Sequence, residues 1–374
     1  ETVEPFDYKG FRYVEVAGVF PGKKNAWVVE RHYPWPETAC KFQSSDPLLN
    51  RIWELCANGV RLCAQEQFLD CPTREKGQYL NDCAITGHAH MLLTGDGRLV
   101  RKSLRDFALS ERIRPGLQAV APGSLKAAIA DASLTWPMQL WQYYMHTGDR
   151  EFLARMAPVA DRLVEHFQTY ENDRGLLADV RDKWNLVDWP SGMRDDYDFE
   201  LDQETGGTGC QAVLNAYYYG CLDTVARLQG ALGIPDRTKS RRHTLRKAFR
   251  QTFTDHDGLF VDAIGSQHKS LHANCLPLYF GLASRENVSA IVSYLAHRGM
   301  ACGVSIAYYL LHAFIDAGRP NDAYELMTAD TECSWRTMLD EGATACMEAW
   351  NVAAKWNTSL CHAWAAAPVI LIIE

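Results

Sequence analysis

From Asp46 onward the apolar positions fall at helical spacing. Ser45-Asp46-Pro47-Leu48-Leu49 offers a carboxylate cap and a proline for the first turn, and Leu49, Ile52, Trp53, Cys56 and Val60 follow three or four residues apart. That spacing predicts a helix with one buried face. Similar segments recur down the chain, separated by joints of one kind: Leu93-Thr94-Gly95-Asp96, His146-Thr147-Gly148-Asp149, Leu232-Gly233-Ile234-Pro235-Asp236 and Asp316-Ala317-Gly318-Arg319-Pro320. Gly supplies a left-handed end to one helix, and a polar residue or Pro opens the next. Leu282-Ala283-Ser284 is a less regular junction of the same sort. No short period repeats, which argues against an open solenoid. At typical helix lengths about twelve helices fit the remaining roughly 330 residues. The expected architecture is all-α, an (α/α)6 toroid of six helical hairpins over residues 43–374.

Residues 1–42 have a different pattern. Phe11-Arg12-Tyr13-Val14-Glu15-Val16-Ala17 alternates like a strand, and Ala26-Trp27-Val28-Val29-Glu30-Arg31-His32-Tyr33 reads as a second. Two or three strands make no stable sheet alone. Residues 1–42 are therefore expected to be a short β segment, the remnant or edge of a preceding β-domain. A further irregular interval, 172–208, contains Asp182-Lys183-Trp184-Asn185-Leu186-Val187-Asp188-Trp189-Pro190-Ser191-Gly192. A loop that long inside a compact domain is usually functional.

Composition adds exclusions. The chain has 374 residues, of which 47% are hydrophobic and 22% charged, with a formal net charge of -8. That suits a globular protein and gives no reason to expect nucleic acid or an anionic membrane surface as partner. No stretch approaches about 18 uninterrupted apolar residues, so no membrane-spanning helix is expected. Twelve cysteines form no CxxC pair and no zinc-like grouping, so neither metal nor cofactor is expected. Cys56, Cys63, Cys210, Cys221 and Cys346 sit among apolar helical residues, where a free thiol acts as a small hydrophobe. They are read as reduced, which points to a reducing compartment such as the bacterial cytoplasm.

Two acidic segments stand apart from the helical pattern. One is Asp70-Cys71-Pro72-Thr73-Arg74-Glu75-Lys76-Gly77-Gln78-Tyr79-Leu80-Asn81-Asp82, and the other is Asp340-Glu341-Gly342-Ala343-Thr344-Ala345-Cys346-Met347-Glu348. Loops carrying several carboxylates are where chemistry concentrates. Two separate carboxylate groups are what hydrolysis of a glycosidic bond requires. A third acidic run, Asp195-Asp196-Tyr197-Asp198, loosely resembles an aspartate-rich magnesium site of an isoprenoid cyclase. It follows a loop of Arg, Gly and Pro rather than ending a long apolar helix, so a solvated loop is the better account.

Taken in order, several pieces resemble the catalytic domain of glycoside hydrolase family 78, the α-L-rhamnosidases. They are Gly10-Phe11-Arg12-Tyr13-Val14-Glu15-Val16, the Asp70-to-Asp82 block, Asp188-Trp189, Gly342-Ala343-Thr344 with Glu348, and Ser359-Leu360-Cys361-His362. The resemblance implies an (α/α)6 barrel that hydrolyses terminal α-L-rhamnosides with inversion, a carbohydrate partner and no cofactor; the alternatives are an inverting hydrolase of another α-linked sugar and a catalytically inactive carbohydrate-binding homologue. It makes Glu75 the general acid and Glu348 the general base. Asp70, Arg74, Tyr79, Asp82, Asp188, Trp189 and His362 become the substrate-binding residues. The chain departs from the common pattern by one residue fewer before the acid, and by Tyr79 where Trp is usual. Glu75 and Glu348 can meet only if the first and last hairpins are neighbours, which a closed ring provides.

Overall fold

The α-helices follow the apolar spacing closely. In a computed structural model, which describes residues 7–11, 13–15, 29–124, 127–197 and 209–374, α1 (Pro47–Cys63) buries Leu49, Ile52, Trp53, Cys56 and Val60. The Asp46 carboxylate caps it, accepting the Leu48 N–H at 2.8 Å. The sequence then alternates inner and outer helices. Pairs are α2 (Leu80–Thr94) with α3 (Arg98–Ser110), α4 (Ala130–Thr147) with α5 (Arg150–Gln168), and α6 (Ala212–Leu232) with α7 (Lys239–Phe253). There follow α8 (Leu271–Tyr279) with α9 (Arg285–Arg298), α10 (Ile306–Asp316) with α11 (Pro320–Met327), and finally α12 (Trp335–Asp340) and α13 (Ala367–Ile373).

The joints read from the sequence close these hairpins. Gly95 and Gly148 take left-handed backbone (φ 71° and 67°), donating to the carbonyls of Met91 and Tyr144. A side chain there would be strained, which is why glycine ends both helices. Asp149 then caps α5 by accepting the Phe152 N–H at 2.9 Å.

Six helices line the axis. α2 packs on α4, α4 on α6, α6 on α8, α8 on α10, α10 on α13 and α13 back on α2, so the ring is closed. α1 lies outside, against α13, α2 and α12. The inner α4 and α6 are buried almost all round, whereas the outer α3 and α5 bury one stripe. That is the distinction expected of an inner and an outer layer.

The connections are asymmetric. Inner-to-outer links are tight, such as 95–97 and 148–149, whereas outer-to-inner links are mostly long: 64–79, 111–129, 169–211, 254–270 and 341–366, with 299–305 the shorter exception. All the long loops therefore gather at the end of the ring where the inner helices begin. Both acidic segments and residues 172–197 belong to that end.

Among the described residues no strand forms, only isolated bridges. The parts of the expected strands at residues 12 and 16–28 lie outside the described residues. Residues 29–42 run irregularly over the first hairpin: the Tyr33 N–H donates to Ala64 O at 2.6 Å and the Cys40 N–H to Leu93 O at 2.7 Å. Phe42 packs on Trp53 at 5.2 Å between ring centroids. All twelve cysteines are free, and the five named from their apolar settings are buried. No helix among the described residues is long and apolar enough to cross a membrane.

α1 touches the second acidic segment at Gly59, where an added Cβ would stand 2.6 Å from the Cys346 Sγ. That sulfur cannot step aside, because Cys346 is wholly buried and its N–H bonds Leu55 O at 3.2 Å. Overpacking of this kind costs about 1–3 kcal/mol. Gly59→Ala is expected to lower the melting temperature by several degrees in a thermal scan, whereas Gly192→Ala, with open space around it, leaves it unchanged.

Candidate active site

The first acidic segment folds back on itself before α2. The Asp70 N–H donates to Gly77 O and the Gly77 N–H donates to Asp70 Oδ1, both at 2.8 Å. Inside this clasp Lys76 takes left-handed backbone (φ 56°), a conformation that costs a non-glycine residue about 1 kcal/mol or more. The turn leaves Glu75 at the rim, with 39% of its side chain exposed. Tyr79 then precedes α2 and donates its phenol O–H to Glu75 Oε2 at 2.8 Å. Burial and the Glu75 carboxylate push the Tyr79 phenol upward, so it keeps the proton it donates.

Glu348 comes from the long loop between α12 and α13. Its N–H donates to Ser359 O at 2.9 Å, and the Ser359 N–H returns to Glu348 Oε2 at 2.8 Å. The Trp364 indole donates to the Glu348 carbonyl at 3.1 Å. Beneath it, Trp335 and Trp350 meet edge to face at 4.9 Å and bond Ala365 O and Cys302 O. Only 3% of the Glu348 side chain is exposed. Its carboxylate also accepts from Trp189 Nε1 at 3.0 Å and from Lys355 Nζ. Burial works against its charge, but Lys355, His362, the Ser359 N–H and Trp189 outweigh it and hold the carboxyl down to about 2.

Arg74 joins the two glutamates. One nitrogen, Nη2, lies 2.9 Å from Glu75 Oε1 and 3.2 Å from Glu348 Oε2, and Nη1 bonds the Ser359 hydroxyl. The two carboxylates thus face each other across a single guanidinium, although they come from opposite ends of the chain. Between and below them is a cavity of about 240 Å³, lined by Asp70, Glu75, Tyr79, Asp82, Trp189, Glu348 and His362 among others. Drug-sized pockets start near about 300 Å³, so this one suits a single sugar ring.

The floor is charged. Asp82 Oδ1 is 2.7 Å from His362 Nε2. Burial by itself would lower the His362 imidazole, but the Asp82 and Asp70 carboxylates hold it above its usual value. Asp70 is nearly fully buried, and its Oδ2 has no hydrogen-bond partner. Burial pushes Asp70 up to about 6, with Asp82 adding to the rise and His362 opposing it. A buried oxygen left without a protein partner beside a cavity is one a hydroxyl would satisfy.

Asp188 is not at the cavity. It is fully buried, with Oδ2 accepting from His272 Nε2 and the Gly303 N–H, both at 2.6 Å, and Oδ1 accepting the Trp189 N–H at 2.7 Å. Although expected among the substrate-binding residues, it is not among those lining the cavity: both its oxygens accept from protein donors, and it holds Trp189 in place. The preceding residue, Val187, is β-branched yet has φ 59°, a true outlier for its type. Its N–H is fixed by the buried Asp131 Oδ2 at 2.7 Å.

Other lining residues escaped the sequence reading. Trp184 meets Trp189 edge to face at 6.1 Å, and Ile129, Leu186, Trp364 and Lys355 complete the wall. Trp184 and Leu186 were visible as members of the long loop; Ile129 and Lys355 carry no local signal. Asp195, from the third acidic run, accepts the Leu271 N–H at 2.6 Å and pairs with Arg298, so it ties loops together. Asp198 lies outside the described residues.

Comparison with known proteins identifies relatives of the whole domain. A curated α-L-rhamnosidase of Streptomyces avermitilis is 27% identical over 363 residues, and one of Alteromonas sp. (strain LOR) is 24% identical over 371. Each match covers 94% of this chain but only 33% and 39% of those proteins. Among solved structures, a GH78 family rhamnosidase of Bacillus sp. GL1 superposes with a TM-score of 0.80 at 24% identity, over 91% of this chain and 36% of that one. A Klebsiella oxytoca rhamnosidase with rhamnose bound gives 0.74 at 21%, over 90% and 66%. The family profile described as the bacterial alpha-L-rhamnosidase 6 hairpin glycosidase domain matches residues 37–374, and the chain belongs to that family.

Proposed function

We propose that this domain hydrolyses terminal α-L-rhamnosides with inversion, with Glu75 as general acid and Glu348 as general base. The observation that carries the reading is the placement of Glu75 and Glu348 on one Arg74 nitrogen over a sugar-sized cavity. Inversion needs a protonated acid at the leaving oxygen and a carboxylate holding water on the other face of the ring. Glu75, at the open rim, is where a leaving group can depart. Glu348, enclosed and held as a carboxylate, has the character of the base. Proton transfer is balanced: Glu75 gives its proton to the departing oxygen and Glu348 takes one from the attacking water.

The sugar would sit on Asp70, Asp82 and His362, with Trp184 and Trp189 against its C–H faces. Arg74 would turn from the glutamates to the hydroxyls, since water needs a place between them. The relatives with rhamnosidase names make rhamnose the first sugar to try.

Three outcomes follow. Glu348→Gln is expected to cut kcat on p-nitrophenyl and alkyl α-L-rhamnosides alike, by about 10²–10⁴-fold. Glu75→Gln loses that much only on the alkyl compound, because nitrophenolate leaves without an acid's help. Equal losses for both variants on both substrates would remove the role assignment, and no turnover of rhamnosides by the parent protein would remove the activity itself. NMR of the first-formed sugar should detect β-L-rhamnose before mutarotation; α-L-rhamnose appearing first would rule out inversion.

Asp70 supplies the third. Its folded value of about 6 lies above the 3.8 of an ordinary aspartate, so its contribution to stability is complete below that value and is lost as pH rises through 6. Asp70→Asn should therefore raise the melting temperature at pH 8 and not at pH 4, while activity is lost. Melting curves at the two pH values check it, and an equal shift at both would count against the buried charge.

A further inference from the structure

We propose that Lys355 is a positioning residue for the reaction: it is the cation that keeps Glu348 oriented and charged once Arg74 has turned to the sugar. The inference rests on the reading of Glu348 as the base.

The acceptor capacity of Glu348 is full in the empty site. Oε1 accepts from Trp189 Nε1 at 3.0 Å and from Lys355 Nζ. Oε2 accepts from the Ser359 N–H at 2.8 Å. Arg74 Nη2 reaches both oxygens, at 3.3 and 3.2 Å. A carboxylate offers about four lone-pair sites. An attacking water can therefore reach Glu348 only if a donor withdraws.

Arg74 is the donor able to go. Its bonds to Glu348 are the longest of the set, it is shared with Glu75, and it is at the rim with 29% of its side chain exposed. Lys355 is held. Only 14% of its side chain is exposed, and its ammonium stands 5.2 Å from the Trp189 ring centroid. Its backbone carbonyl accepts the Thr358 hydroxyl at 3.0 Å, and the loop is anchored upstream by the Val352 N–H on Glu341 Oε2 at 2.9 Å. Lys355 and Ser359 close the same short loop, so that loop grips one oxygen of Glu348 from each end.

When Arg74 leaves, a lone pair on Glu348 opens for water. Lys355 then remains as the neighbouring cation. Without it, the enclosed carboxylate would face the substrate with only the His362 imidazole, itself bonded to Asp82, to offset its burial, and burial would favour its protonated form, which cannot act as a base. Lys355 carries out no bond-making step; it acts through Glu348.

The test compares Lys355→Met, Lys355→Gln and Lys355→Arg with the parent domain, measuring kcat at saturating p-nitrophenyl α-L-rhamnoside from pH 2 to pH 8, because kcat reports the substrate complex from which Arg74 has turned away. The acidic limb of the profile is expected to move up by about one pH unit or more in the Met and Gln variants, the shift an adjacent opposite charge normally produces. In the Arg variant it returns toward the parent position. A pH-independent fall in rate with an unmoved limb overturns the proposal and leaves the hydrolase reading intact. An inactive parent protein overturns both. Gln keeps a donor in place of the Met side chain, so a Met variant that melts early does not hide the result.

Discussion

Closure of the ring is the constraint on which everything else depends. α13 packs between α10 and α2, so the chain's last long loop comes down beside its first. Only then can Glu348 and Glu75 share the Arg74 guanidinium. An open stack of the same hairpins would have the same cores between neighbours but would leave Glu75 and Glu348 at different ends.

Closure also lets the site bury charge. Taking a carboxylate out of water is costly unless it is paired and hydrogen-bonded. Glu348 meets that condition with two cations, an indole N–H and a backbone N–H. Asp82 meets it with His362, whereas Asp70 leaves one oxygen unbonded. Such an unfilled group beside a cavity is what a site prepared for a hydroxylated ligand would keep, and stability is given up to keep it.

The supporting shell is as specific as the lining. Asp188 anchors Trp189 from behind through His272 and Gly303, and Asp131 fixes the strained backbone of Val187. Trp189 in turn donates to Glu348. A chain of hydrogen bonds thus runs from the core between α8 and α10 to Glu348. It converts packing of inner helices into the angle of one carboxylate.

How much of this was legible depended on whether the signal was local. The helices, their glycine joints and the all-α ring were readable, because spacing at three and four residues and left-handed C-caps are properties of short segments. The glutamates and most of their neighbours were readable because they lie in contiguous motifs, Asp70–Asp82 and Gly342–Glu348. Asp188 sits in such a motif too, yet its side chain points to His272 and Gly303, and no local pattern reports which way a loop residue faces. Lys355 and Ile129 were invisible, since neither has a marked sequence context. The sequence by itself determined the helices and the closed-ring architecture, and it marked out the two acidic segments, whereas the strand pattern at 29–33 formed no strand. Only the tertiary structure decided which donors hold Glu348, which aspartates face the cavity and which residue supplies the second cation, because those depend on contacts between segments hundreds of residues apart.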